Sequence, residues 1–350
     1  MALRLAGPLL PGSYQTASFV EAHPAFGRRN HPGQGWKVSP EFTTWIEVNS
    51  KGLRGPEVDY AKPPGEVRLL VLGDSFTFAE QVNQDETYTQ RLEDRLNASG
   101  GATRFRVLNA GSNGWGTVNE LVYLAEEGLR YQPDVVVLAL YAGNDMSDNY
   151  RRVASVPEAE RADLALQGVD PFEGPRQLLR RSEVYSLLET GVLAKLTPPN
   201  AVDLSEATIR PAPQTAGEAR EAWDITAVLL RRMREVAESR GATFVVMIIP
   251  SAGQVAAGPR PKAPESDDDD QDVTRGPLPG FENPQATLKE MSDRLGLKML
   301  DLLPALRRQA GRSKDRLYYR VNSHFTAAGH VVAADQLYSF LARLGLLAGE

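Results

Sequence analysis

The chain has 350 residues, 42% hydrophobic and 24% charged, and contains no cysteine. Lys plus Arg number 39 and Asp plus Glu 45, a formal net charge of −6. That balance argues against a nucleic-acid or anionic-membrane binder. The lack of Cys excludes disulfides, thiolate metal sites and a Cys nucleophile. No apolar run approaches the roughly 18 residues that span a bilayer. Residues 1–12 carry one early Arg and a short apolar patch broken by Gly and Pro, too weak for a signal peptide as it stands. The chain is expected to be soluble. Its compartment stays open (exported or periplasmic if a leader was trimmed, otherwise cytoplasmic), as does its oligomeric state.

Residues 1–62 read as an irregular arm packed on the main domain, because Pro24, Pro32, Pro40 and several glycines break any helical period. Only Thr43–Val48 reads there as a strand. From Val67 the pattern changes to short runs rich in Val, Leu and Ile at Val67–Leu72, Phe105–Asn109, Asp134–Leu140, Thr243–Ile249 and Leu297–Leu300. Such runs fit parallel strands covered on both faces. Helical patterns lie between them. One follows Asp85 with Tyr88, Leu92 and Leu96 on one face. Another opens at Thr117, with Glu120 completing a T-x-x-E capping box. Further helices are expected over Glu218–Arg240, Gln285–Leu295 and from Thr326 to about Leu346. This alternation predicts a doubly wound α/β sheet over residues 63–350. Two stretches interrupt it: a helical cap insertion at about 150–215, and a flexible loop at about 251–283 containing Asp267–Asp270. The acidic run lacks the Gly and terminal Glu of a calcium loop, so a solvated loop is expected.

In such a sheet, function gathers beyond the carboxyl ends of the strands. The first run leads into Gly73-Asp74-Ser75-Phe76-Thr77, the second into Gly111-Ser112-Asn113-Gly114-Trp115, and the third into Gly143-Asn144-Asp145. Asn322-Ser323-His324-Phe325-Thr326 stands just before the last helix. Together they suit acyl transfer. A serine hydroxyl needs a base within hydrogen-bond reach. Of the four histidines, His23 and His31 lie in the arm and His330 lies inside a helix, which leaves His324. The backbone N–H groups of Ser75 and Gly114 and the side-chain amide of Asn144 are candidate donors to an oxyanion. Asp74, Phe76, Trp115 and Tyr141 neighbour these residues and are candidates for a substrate-pocket wall. No nucleotide-binding, metal-ligand or Gly-x-Ser-x-Gly pattern occurs, so no cofactor and no metal are expected.

Gly73-Asp74-Ser75, Gly114, Gly143-Asn144-Asp145 and His324 resemble the four blocks of the SGNH hydrolases, also called the GDSL esterase/lipase family. The resemblance runs from about Val67 to the C-terminus outside the two interruptions. It implies a flavodoxin-like three-layer α/β/α sandwich with a five-stranded parallel sheet. It also implies Ser75 as nucleophile, Gly114 and Asn144 in the oxyanion hole and His324 as general base. The substrate would be a small-molecule or carbohydrate ester, with no nucleic-acid partner. Residues 49–55 are loosely similar to a lead-in found in some bacterial members. One position departs: where the family usually has an Asp two or three residues before the His, this chain has Asn322 and Val321. Three readings stay open: a Ser–His dyad assisted by Asn322, an acid supplied from elsewhere in the fold, or a weakened enzyme. An ester hydrolase, an O-acyltransferase on the same site and a non-catalytic binding protein are correspondingly distinguished.

Overall fold

The computed structural model describes residues 19–23, 27–98, 103–154, 211–256 and 280–347. Most of the expected cap insertion, residues 155–210, and of the expected acidic loop, residues 257–279, lies outside the described residues.

Five segments of the central region form one all-parallel sheet: β5 (Glu66–Gly73), β6 (Arg104–Gly111), β7 (Val135–Tyr141), β8 (Thr243–Ile249) and β9 (Lys298–Asp301), in the order β6-β5-β7-β8-β9. Every residue of β7 is buried, as its unbroken apolar run requires. Alternate side chains feed two cores. Leu70, Leu72, Leu108, Val136, Leu138, Phe244 and Val246 meet α3 (Thr117–Glu126), α4 (Asp145–Ala154), α5 (Ala216–Glu238) and α7 (Pro284–Leu295). Leu69, Val71, Val135, Val137, Val245 and Met247 meet α2 (Tyr88–Asn97), α8 (Leu303–Ala310) and α9 (Ala327–Arg343) on the other face. The result is a three-layer α/β/α sandwich. Two short helices, α1 (Ser75–Phe78) and α6 (Ala252–Val255), follow β5 and β8.

The strand order reverses beside β5. The next strand in sequence, β6, lies on one side of it, and β7 and its successors lie on the other. The crevice of such a sheet opens where order reverses. Residues following β5 and β7, Ser75 and Asn144 among them, are therefore placed at one mouth.

The described part of the arm is more regular than its composition suggests. β1 (Val20–His23) pairs with β2 (Gly27–Asn30), and β3 (Gly33–Val38) pairs with β4 (Thr43–Val48), both antiparallel. Trp36 and Trp45 face each other across the second hairpin, with ring centroids 5.2 Å apart. Gly33 and Gly35 hide β3 from a propensity reading, whereas tertiary pairing with β4 overrides their weakness. A smaller correction concerns α3. Its N-cap is Gly116, not Thr117: the Thr117 hydroxyl is occupied by Asn149 Nδ2 at 3.1 Å, and Gly116 N–H donates to Asn119 Oδ1 at 3.1 Å. The expected capping box with Glu120 does not form. The helix over Leu303–Ala310 has no counterpart in the sequence reading, and Tyr150, expected to open the insertion, is part of α4.

The arm is bound to the sheet by polar contacts as well as by packing. Asn30 Nδ2 donates to the carbonyls of Gly52 at 2.9 Å and Gly111 at 2.7 Å. Arg54 is 2% exposed, and its backbone bridges Val48 and Asn109. Its guanidinium donates to the carbonyls of Phe78, Ala79 and Val82, so it caps the C-terminal end of α1. Burial lowers its pKa to about 9, which leaves it charged at neutral pH. Arg54→Met should leave those carbonyls unpaired and cost about 2–4 kcal/mol. Urea unfolding checks this, and a shift below about 0.5 kcal/mol would remove Arg54 from the framework.

Candidate functional site

Gly73 ends β5 with no room for a side chain, since a Cβ there would fall 2.1 Å from Thr77 Oγ1. The chain turns at once into α1. Asp74 is its N-cap, and Asp74 Oδ1 accepts from Phe76 N–H at 2.9 Å. Ser75 is thereby the first residue of the helix. From the far end of the chain, the segment before α9 brings in His324, and Ser75 Oγ lies 2.7 Å from His324 Nε2, across 249 positions of sequence.

The other ring nitrogen of His324, Nδ1, faces Asn322 Oδ1 at 2.8 Å and the Asn322 carbonyl at 3.0 Å. With the proton on Nδ1, both oxygens accept from the ring, and Nε2 is free to accept from the serine hydroxyl. His324 is 3% exposed and packs against Phe76, ring centroids 4.6 Å apart. The backbone is strained at Ser323, whose φ is +63°. Tyr319 N–H donates to the His324 carbonyl at 2.8 Å, and the Thr326 hydroxyl caps α9.

Asn144 precedes α4, and its carbonyl accepts from Asp148 N–H at 2.8 Å. Its side-chain amide makes no hydrogen bond to the described residues, and its Oδ1 is buried. Gly114 is exposed on the loop after β6 with φ +72°, the left-handed region that favours glycine. Its carbonyl accepts from Arg152 Nη2 at 2.7 Å, and Arg28 Nη1 stands 3.1 Å from where its Cβ would be.

Of the residues expected at a pocket wall, Asp74, Phe76 and Tyr141 are 2%, 2% and 5% exposed. Phe76 and Tyr141 pack at 4.4 Å between ring centroids and support His324 from the core. Trp115 is equally buried and donates from Nε1 to the Arg28 carbonyl at 2.7 Å. It borders a cleft of about 380 Å³ between the arm and α3, along with His23, Lys51, Tyr60 and Arg130, and neither Ser75 nor His324 lines that cleft. His330, inside α9, is packed in the core. It is 1% exposed, accepts from Tyr88 N–H through Nδ1 at 3.2 Å, and burial lowers its pKa to about 3.

Several contributors had escaped the sequence reading. Glu41 and Arg54 reach from the arm to the two loops that meet at Ser75 and His324, and nothing local in sequence marks such contacts. Below the site, Asp74, Glu120 and Asp145 are all within 2% of full burial. Asp145 Oδ2 accepts from Tyr141 N–H at 2.8 Å, while both Glu120 oxygens lack a hydrogen-bond partner. Burial, then the charge of Asp74, pushes the pKa of Glu120 up, and burial with Asp74 and Glu120 does the same for Asp145. The T-x-x-E spacing was the one available signal at Glu120, and it pointed to a cap instead. Among the described residues no cluster of His, Asp and Glu has the form of a metal site.

The family described as "GDSL-like Lipase/Acylhydrolase family" matches residues 71–278, a span that contains Ser75, Gly114 and Asn144 but ends before His324. No curated protein matches the chain. Among solved structures, LAE5, an alpha/beta hydrolase enzyme from the metagenome of Lake Arreo, Spain, is 14% identical with a TM-score of 0.41, covering 83% of this chain and 99% of that one. The acetyl xylan esterase AlAXEase is 12% identical at a TM-score of 0.43, covering 78% and 98%. The psychrotrophic esterase EstA from Pseudoalteromonas sp. is 13% identical at a TM-score of 0.42, covering 79% and 97%.

Because its folded-state pKa is raised, Glu120 favours the fold at low pH and opposes it as pH climbs above the ordinary glutamate value of 4.5. Glu120→Gln should therefore unfold at a higher temperature than the native chain at about pH 8, with the difference closing near pH 4. Thermal unfolding at both pH values checks this, and an equal difference at each would refute it.

Proposed function

The chain belongs to the GDSL-like lipase/acylhydrolase family and is a carboxylic ester hydrolase. From that premise we propose that it works through an acyl-enzyme, with Ser75 as nucleophile and His324 as general base. The observation that carries this reading is the 2.7 Å contact between Ser75 Oγ and His324 Nε2. It is supported by the two Asn322 oxygens that face Nδ1 and are placed to accept a proton held there. Residues 1–62 are taken as an arm serving a hydrolase domain that occupies residues 63–350.

In the first step Ser75 Oγ bonds to the ester carbonyl carbon while its proton passes to His324 Nε2. The carbonyl oxygen becomes an oxyanion, for which the N–H groups of Ser75 and Gly114 and the unengaged amide of Asn144 are the proposed donors. The bond to the alcohol oxygen breaks, and that oxygen takes the proton back from Nε2. Water then attacks the acyl-enzyme, again giving a proton to Nε2, and Ser75 leaves with it. Asn322 orients the imidazole through its amide oxygen but adds no charge to offset the imidazolium. The substrate class is an O-acyl ester. Short-chain esters and O-acetylated carbohydrates are the first members to test, in a chain-length series read as kcat/KM.

Ser75→Ala should lower hydrolysis of a chromogenic acyl ester by on the order of 10⁴-fold or more, and retention of activity would refute the nucleophile. Asn144→Ala should lower kcat by roughly 10²–10³-fold, and an unchanged kcat removes it from the oxyanion site. Asn322→Asp should raise kcat by restoring a charge beside Nδ1, whereas a fall would show that this position does not orient the ring.

A further inference from the structure

The orienting residue Asn322 is neutral, yet the loop that carries it is gripped by a carboxylate from another part of the chain. Glu41 Oε1 accepts from Arg320 N–H at 2.7 Å, and Glu41 Oε2 accepts from Val321 N–H at 2.9 Å and Asn322 N–H at 2.8 Å. Three successive peptide N–H groups converging on one carboxylate form a charge-assisted nest, stronger than neutral hydrogen bonds of the same length. The side chain of Val321, in the middle of the three, is 52% exposed, whereas the flanking loop is held by Tyr319 N–H to the His324 carbonyl at 2.8 Å and by the Tyr319 hydroxyl to the Gln81 carbonyl at 3.0 Å.

Glu41 is presented rigidly. It sits in the turn joining β3 to β4, closed by Ser39 N–H to the Phe42 carbonyl at 2.9 Å and Phe42 N–H to the Ser39 carbonyl at 3.3 Å. Phe42 beside it is buried and packs on Tyr319, with ring centroids 5.3 Å apart. The hairpin thus meets the histidine loop through an apolar contact of Phe42 and charge-assisted hydrogen bonds of Glu41, on adjacent residues.

Asn322 links this grip to the histidine. Its N–H donates to Glu41, while its carbonyl and side-chain oxygens both face His324 Nδ1. The intervening Ser323 holds a positive φ that the surrounding structure must impose. We infer that Glu41 is a positioning residue for His324: it supplies from the arm the carboxylate that the histidine loop lacks, acting through the backbone of residues 320–322 and not on the ring directly. The inference rests on the Ser75–His324 reading given above.

The test uses the full chain with Glu41→Gln, which keeps the side chain's shape but loses its charge and one acceptor, and Glu41→Ala. Both should lower kcat on the order of 10- to 100-fold with KM within about twofold, because the imidazole is misplaced while ester binding is untouched. ¹⁵N-histidine NMR should show His324 as the Nδ1–H tautomer in the native chain and as a tautomer mixture in both variants. Adding Asn322→Asp to Glu41→Gln should recover part of the lost kcat. Wild-type kcat in both variants, or an unchanged tautomer, overturns the inference. Ser75→Ala separates the two levels. If it retains turnover, the Ser–His reading itself fails. If it abolishes turnover while the Glu41 variants stay at wild type, only the role of Glu41 fails.

Discussion

The hydrogen bond between Ser75 and His324 joins loops that are 249 residues apart, and much of the surrounding structure holds one end of it or the other. A contact of 2.7 Å between two side chains is useful only if both backbones are fixed to a few tenths of an ångström. The serine end is fixed by the sheet: β5 is hydrogen-bonded on both sides, and α1 starts directly from its last residue. The histidine end has no strand under it. It depends on the cap of α9, on the backbone bonds around Tyr319 and on the Glu41 carboxylate.

The arm consequently serves both partners of that bond. Arg54 satisfies the carbonyls at the end of the serine helix, and Glu41 satisfies the N–H groups of the histidine loop. Each charge is desolvated to some degree, which costs free energy unless several hydrogen bonds offset it. Both meet that condition, Arg54 with three acceptors and Glu41 with three donors. Glu120, buried beneath the site, does not: neither of its carboxyl oxygens has a hydrogen-bond partner among the described residues. Burial and the charge of Asp74 push its pKa up, so this part of the core is favoured at low pH and weakened as pH rises.

Legibility in the sequence followed the range of the interaction. The five strands were read from short Val- and Leu-rich runs, and their observed limits differ from the reading by at most two residues at either end, because burial on both faces along most of β5, β7 and β8 leaves little polar alternation to confuse the pattern. The short words around Ser75, Gly114, Asn144 and His324 were equally visible. The two arm hairpins were largely missed, since Gly33, Gly35 and Pro40 read locally as breakers, whereas cross-strand pairs such as Trp36–Trp45 outweigh them. At Glu120 a local rule gave a wrong answer. The Thr117 hydroxyl that would have capped the helix is engaged by Asn149, a residue 32 positions away.

By itself the sequence determined the layered α/β architecture and which residue types stand at the carboxyl edge of the sheet, because periodicity and turn chemistry are local properties that the chain carries with it. It also set the substitution at Asn322, which fixes that the ring's immediate partner is neutral. Only the tertiary structure decided which nitrogen of His324 meets which oxygen, that the aromatic neighbours of the serine are packed supports, and that a glutamate 281 residues before Asn322 holds its loop. Those outcomes depend on distances between segments remote in sequence, and such distances exist only once the sheet has brought the segments together.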